Sequence, residues 1–253
     1  MSTGPLDTSL PLVIMPAWNE AAVIEATLAD LREHGPDCVV LVVDDGSVDD
    51  TAAIARRAGA VVLQLPFNMG VGGAMRAGFT FAQRMGFTQA VQLDADGQHN
   101  PADIPRLLTK LDAGADIVIG ARFAEVGDYE VHGPRKWAMN VLARTLSQLA
   151  KTRLTDVTSG FRAANARAIA QYVRHYPAEY LGDTIDSLVG AIRAGCVVRQ
   201  VPVAMRPRQG GQPSHSPLKA AIYLGRSGLA LAFALIRHAP KAPDPVDREG
   251  VRQ

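Results

Sequence analysis

The sequence predicts an α/β fold: a single domain with a mostly parallel central sheet flanked by helices, followed by a C-terminal apolar helix. Two observations predict it. Through the first two thirds of the 253 residues, short apolar runs alternate with segments of helical period, which implies parallel strands joined by right-handed crossovers. Three of those runs end directly in polar clusters, at 16–20, 44–47 and 94–99. Sheets of this kind present their ligand sites at the carboxyl ends of the strands.

Each element has its own signal. Residues 10–15 are a short apolar run closed by Pro16. Residues 19–33 place Val23, Ile24, Leu28 and Leu31 on one helix face. Residues 39–43 are continuous Val and Leu, as expected of a strand buried on both faces. Asp49 stands where it can cap a helix over 51–58. A third strand follows at 61–65, a helix at 72–85 and a fourth strand at 89–93. A helix at 101–111 carries proline in its first turn, and a fifth strand lies at 117–119. The last third is less regular. It reads as helices at 136–150, 166–174 and 182–194, a strand at 196–205 and a Gly- and Pro-rich loop at 206–216. The domain thus covers 10–216 and the apolar or amphipathic helix 217–238. Residues 1–9 and the proline-rich, charged stretch 239–253 are expected to be disordered.

Composition excludes some classes. Lys and Arg total 26 against 25 Asp and Glu, a formal charge of +1, so no charge excess points to nucleic acid. Cys38 and Cys196 each flank a valine run and read as buried, reduced thiols rather than a disulfide or metal pair. The N-terminus has no basic segment followed by an apolar one, so a cytoplasmic protein is expected. The uncharged stretch 227–236 is too short to span a bilayer. It suits peripheral contact at the inner membrane face, a membrane-protein partner, a homodimer seam or plain core packing. Arg226, Arg237, His238 and Lys241 flank it and suit anionic headgroups.

The chemistry-bearing residues lie in the polar clusters. Asp94 and Asp96, one residue apart at a strand end, can turn toward one hard cation, with Gln98 as a further oxygen donor. A lone Asp-x-Asp is ordinarily a solvated loop, or here a cap before Pro101; its surroundings reverse that reading. Asp44-Asp45-Gly46-Ser47 is good turn chemistry, and either carboxylate can accept from a nucleobase N–H or a ribose hydroxyl. The glycine-rich segment 68–74 opens a helix but lacks the Lys-Ser/Thr ending of a P-loop. Close backbone approach to a nucleotide is the alternative to a plain loop there.

Taken together, these residues resemble glycosyltransferase family 2, and within it the dolichol-phosphate-mannose-synthase-like branch. The resemblance rests on Pro16-Ala17-Trp18-Asn19-Glu20, on Val42 to Asp49, and on Asn68, Gly70, Gly72, Ala74 and Gly78. It rests also on Asp94-Ala95-Asp96-Gly97-Gln98-His99, Gly120-Ala121-Arg122-Phe123, and Asp156-Val157-Thr158-Ser159-Gly160-Phe161-Arg162.

The resemblance implies a GT-A fold and an inverting, metal-dependent transferase. Its donor would be a nucleotide-diphosphate sugar of the GDP-mannose or UDP-glucose type, and its acceptor a polyprenyl phosphate. A hydroxyl acceptor is the alternative; a sugar nucleotidyltransferase ranks lower, because residues 16–20 are not a basic glycine loop. By the same resemblance Pro16, Ala17, Asn19, Glu20 and Asp44 or Asp45 hold the base and ribose. Asp94, Asp96 and Gln98 hold Mg2+ or Mn2+ and, through it, the diphosphate. Arg122 and Arg135 approach sugar or phosphate groups, and Arg208 closes over the donor. That last loop has one residue more than the branch's pattern before its serine, and His215 stands where lysine is usual. Asp183 falls where many members place a catalytic carboxylate, with Asp186 and Glu179 nearby. It serves equally well as the cap of its helix.

Overall fold

The computed structural model describes residues 5–122, 134–176 and 183–206; of Arg122, residues 134–140 and Asp183 it describes the backbone alone. The elements are β1 Leu12–Ala17, α1 Ile24–His34, β2 Val39–Asp44, α2 Thr51–Arg57, β3 Val61–Gln64, α3 Gly70–Met85 and β4 Gln89–Gln92. A 3-10 turn at Pro101–Asp103 leads into α4 Ile104–Asp112. Then come β5 Ile117–Arg122, α5 Pro134–Ala150, β6 Arg162–Asn165, α6 Ala166–His175, α7 Asp183–Arg193 and β7 Val198–Val203. The strands form one sheet in the order β3-β2-β1-β4-β6-β5-β7. All pairings are parallel except those of β6, which runs antiparallel to β4 and β5.

The uninterrupted apolar runs follow from two-sided burial. Leu12 and Ile14 of β1 join Met75 and Phe79 of α3 and Ile169 and Tyr172 of α6 on one face. Val13 and Met15 join Leu28 and Leu31 of α1 and Ile104 and Leu107 of α4 on the other. With period-two side chains, neither face can then be polar. α3 lies so close to the sheet that a β-carbon on Gly78 would collide with Ile14.

The structure shifts several expected boundaries for local reasons. α1 starts at Ile24 rather than 19, because Asn19 has φ 55°, in the left-handed region. Asp50 precedes α2 without a side-chain cap bond, while Asp49 Oδ1 accepts from the Thr51 N–H at 3.0 Å. The expected helix over 101–111 splits into the 3-10 turn and α4. β5 extends through Arg122, and the strand expected at 196–205 contracts to β7, with Met205 held by an isolated bridge to His99. β6 is an addition: its sequence, Arg-Ala-Ala-Asn, carries no β-branched or aromatic residue to announce a strand. Cys38 is only half-buried, whereas Cys196 is buried. Burial pushes each thiol up to about 11, which favours the protonated form over the nucleophilic thiolate. Among the described residues, no helix is long and apolar enough to cross a membrane. The expected helix 217–238, both predicted disordered ends except residues 5–9, and nearly all of the loop 206–216 lie outside the described residues.

Candidate active site

The loops after β1 and β2 are stitched into one surface. Asp45 N–H donates to the Ala17 carbonyl at 2.8 Å. Asn19 N–H donates to Ser47 Oγ at 2.9 Å, and Val48 N–H donates back to Asn19 Oδ1 at 2.9 Å. Glu20 N–H reaches Thr51 Oγ1 at 2.8 Å and Ala21 N–H reaches Asp49 Oδ2 at 3.1 Å. The structure therefore gathers Pro16, Ala17, Asn19, Glu20, Asp44 and Asp45 at one corner of the rim. Ala17 is buried there and Trp18 is half exposed.

Asp44 and Asp45 are both buried and do different work. Asp44 accepts from Ser47 N–H and from Gln64 Nε2, each at 3.2 Å. Asp45 accepts from Met69 N–H at 2.7 Å, at the start of α3. Burial raises the Asp45 pKa; the Met69 and Gly70 amides oppose that rise, and neighbouring Asp44 adds to it. This carboxylate takes the position at a helix N-terminus that a phosphate takes in a phosphate loop. Gly46, φ +71°, lets the two loops pack closely: a β-carbon there would lie 2.6 Å from the Phe67 backbone.

The third cluster is fixed just beyond β4. Leu93 N–H donates to the Ile14 carbonyl at 3.0 Å, so the loop leaves the sheet beside β1. Thr27 Oγ1 of α1 donates to the Ala95 carbonyl at 2.8 Å, pinning the residue between the two carboxylates. Asp96 Oδ1 accepts from Gln98 N–H at 3.0 Å across Gly97, φ 73°. Asp94 is partly exposed, Asp96 buried and Gln98 intermediate. Among the described residues no group of three acidic, His or Cys side chains forms a metal cage. Two carboxylates and an amide nevertheless fit Mg2+ or Mn2+, hard cations that take few protein oxygens and fill the rest of their shell from phosphate and water.

Behind this loop stand residues to which the sequence reading gave no role. His99 is buried and stacks on Phe161, with ring centroids 5.0 Å apart and planes 16° from parallel. Its Nδ1 accepts from Asp94 N–H at 3.2 Å, which places the proton on Nε2, 3.7 Å from an Asp94 carboxylate oxygen. Gly160 lies against Asp94 and Gln92. Gly120 makes room for Phe161, whose ring a β-carbon there would meet at 2.7 Å. Arg162 is buried, and Asp156, also buried, accepts from Thr158 Oγ1 at 3.0 Å. His99, Asp156, Gly160, Phe161 and Arg162 lie in the motifs quoted above at 94–99 and 156–162, and Gly120 in the one at 120–123. A motif shows that a residue recurs, but not which atom it touches.

The basic residues are only partly placed. Arg122 ends β5, paired in register with Val203, and Arg135 lies in the first turn of α5. Asp183 is the first residue of α7. Arg208 and Glu179 lie outside the described residues. Arg206, two residues before Arg208, moors the root of that loop. Its N–H donates to the Gln98 carbonyl at 2.9 Å, and its guanidinium reaches Asp30 at 2.6 Å and Asn100 at 2.7 Å.

Comparison with known proteins follows the same lines. A family model described as glycosyl transferase family 2 matches residues 12–173. Polyprenol monophosphomannose synthase of Mycolicibacterium smegmatis is 32% identical over 227 residues, covering 85% of each chain. Undecaprenyl-phosphate mannosyltransferase of Micrococcus luteus is 34% identical over 240 residues, 89% of this chain and 97% of that one. The fold matches a crystal structure of glucosyl-3-phosphoglycerate synthase from Mycobacterium tuberculosis with Mn2+, uridine diphosphate and glucosyl-3-phosphoglycerate. The TM-score is 0.66 at 20% identity, over 92% of this chain and 82% of that one.

Proposed function

Because the chain belongs to glycosyl transferase family 2, we propose that this glycosyltransferase moves a sugar from a nucleotide diphosphate to a polyprenyl phosphate, with inversion. The observation that carries the reading is the Asp94-Ala95-Asp96 loop at the end of β4, fixed to β1 and α1 on the rim where the 16–20 and 44–51 loops meet. The names of both relatives support the lipid phosphate acceptor and favour mannose as the sugar.

Asp94, Asp96 and Gln98 hold Mg2+ or Mn2+ in this reading. Held there, the ion would supply Lewis-acid stabilisation for the negative charge that develops on the leaving diphosphate. The 16–20 loop and Asp44 or Asp45 orient the base and ribose. Arg122, Arg135 and Arg208 add positive charge around the sugar and phosphates. A polyprenyl phosphate brings its own anionic oxygen, since a phosphate monoester loses its second proton near pH ~6. Asp183 then orients the acceptor or caps α7 rather than removing a proton. The acceptor resides in a bilayer, so the enzyme works peripherally at the cytoplasmic membrane face, with the segment 217–238 as the contact.

The test is transfer of radiolabelled sugar from GDP-mannose or UDP-glucose into a lipid-extractable product, in detergent micelles with Mn2+ or with a chelator. Metal-dependent labelling of the lipid is expected. Efficient labelling of a soluble hydroxyl acceptor, with none in the lipid, overturns the acceptor assignment.

A further inference from the structure

Arg162 is a charged residue in an apolar layer. It begins β6 with only 6% of its surface exposed. Burying a guanidinium is costly unless its donors are satisfied, and here they are satisfied by backbone. Nε donates to the Ser159 carbonyl at 2.8 Å, one Nη to the Val157 carbonyl at 2.6 Å, and the other Nη to the Thr184 carbonyl at 2.8 Å. The first two belong to the loop that carries Gly160 against the Asp94 carboxylate. The third lies in the first turn of α7, one residue after Asp183. Thr184 O also accepts from Ser187 Oγ at 3.2 Å, so that turn is held from two sides. Arg162 pairs in register with Gln92, whose Nε2 points to Asp94 at 3.4 Å. Toward α6, the same guanidinium lowers the pKa of buried Tyr172, which burial pushes up to about 12.

We propose that Arg162 is a positioning residue that locks the start of α7 to the 157–160 loop, and so fixes Asp183 and the acceptor side of the site relative to Asp94. The proposal rests on the transferase reading for its consequence in turnover, but not for the clamp itself. No other side chain type fits the task as well. A planar fork reaches three carbonyls in fixed directions, whereas a lysine ammonium is a point charge on a flexible stem.

The test is Arg162→Lys, which keeps the charge and loses the fork. Steady-state transfer should show kcat lowered by about 10–100-fold, the cost of a small misplacement of reacting groups. Donor KM and Mn2+-dependent donor affinity should weaken less than kcat falls, because the 16–20 and 44–51 loops are untouched and Asp94 is reached only through the 157–160 loop and Gln92. Amide exchange should quicken in 183–190 and stay unchanged in α1 and α4. Unchanged kcat, or unchanged exchange in 183–190, overturns the proposal. Faster exchange throughout the chain overturns it too, since Arg162 would then be a general core residue. If the unaltered enzyme labels no lipid phosphate, the acceptor reading fails, and exchange and donor affinity still decide the role of Arg162. If Arg162→Lys does not fold, native-state exchange of the unaltered protein in low denaturant decides it. Joint opening of 157–162 and 183–190 with one free energy supports the clamp, and separate opening overturns it.

Discussion

The backbone of Gly160 lies against the carboxylate of Asp94. A β-carbon at position 160 would stand 3.3 Å and 3.5 Å from the two carboxylate oxygens and 3.1 Å from Gln92 Nε2. The glycine therefore sets how far Asp94 can swing back. Gly160→Ala should leave the fold intact but push the carboxylate by a few tenths of an ångström. Mn2+-dependent donor binding should weaken by about tenfold, as for other residues that support a metal ligand. Calorimetry of donor binding with and without Mn2+ measures this. Equal affinity in both proteins would show that Asp94 has room to relax.

Asp96→Ala should abolish metal-dependent donor binding, and Asp94→Ala nearly so. Two carboxylates are the only charged protein ligands assigned to the ion, and losing one removes half of that charge. A thermal-shift titration with nucleotide sugar and Mn2+ reads the loss directly, because ligand stabilisation follows affinity. Stabilisation equal to the unaltered protein in Asp96→Ala would remove Asp96 from the metal site.

Asp49 gives a pH signature. Burial opposes its ionisation, but the Thr51 hydroxyl, the Thr51 amide and the Ala21 amide outweigh that and lower its pKa below 3.8. A carboxylate with a lowered folded pKa stabilises the fold fully above the unfolded value, and this is lost as pH falls through the folded value. Asp49→Asn should therefore be less stable at pH 7, by less than about 1 kcal/mol at this solvent-screened position. The gap should close as pH falls below 3.8. Urea denaturation of both proteins from pH 7 down to about 3 checks the sign. A gap that widens toward low pH contradicts it.

Asp183→Asn separates the two acceptor chemistries. With a polyprenyl phosphate, turnover should fall by less than about tenfold, because no general base is required. With a hydroxyl acceptor, losing the base costs on the order of 10²–10⁴ in rate. Transfer rates to a lipid phosphate and to a soluble alcohol, measured for both proteins, distinguish them. A collapse of lipid transfer in Asp183→Asn would make Asp183 more than an orienting or capping group.

The sequence by itself determined the α/β class, the parallel strands with long two-sided runs and the rim positions of the polar clusters. Those features are written in local periodicity: Val39 to Val43 reads as a strand buried on both faces, and Asp94 and Asp96 follow another apolar run. It also determined the family, because spaced motifs survive where overall identity is low. Only the tertiary structure decided what those residues touch. β6 is a strand because β4 and β5 flank it, although its Arg-Ala-Ala-Asn composition does not favour one. Asp45 belongs to the start of α3, 24 residues away in sequence, and Arg162 belongs to Thr184, 22 residues on. Such partners are chosen by chain crossovers that bring distant segments together. A buried charge or a missing β-carbon acquires its meaning only from the atoms packed against it.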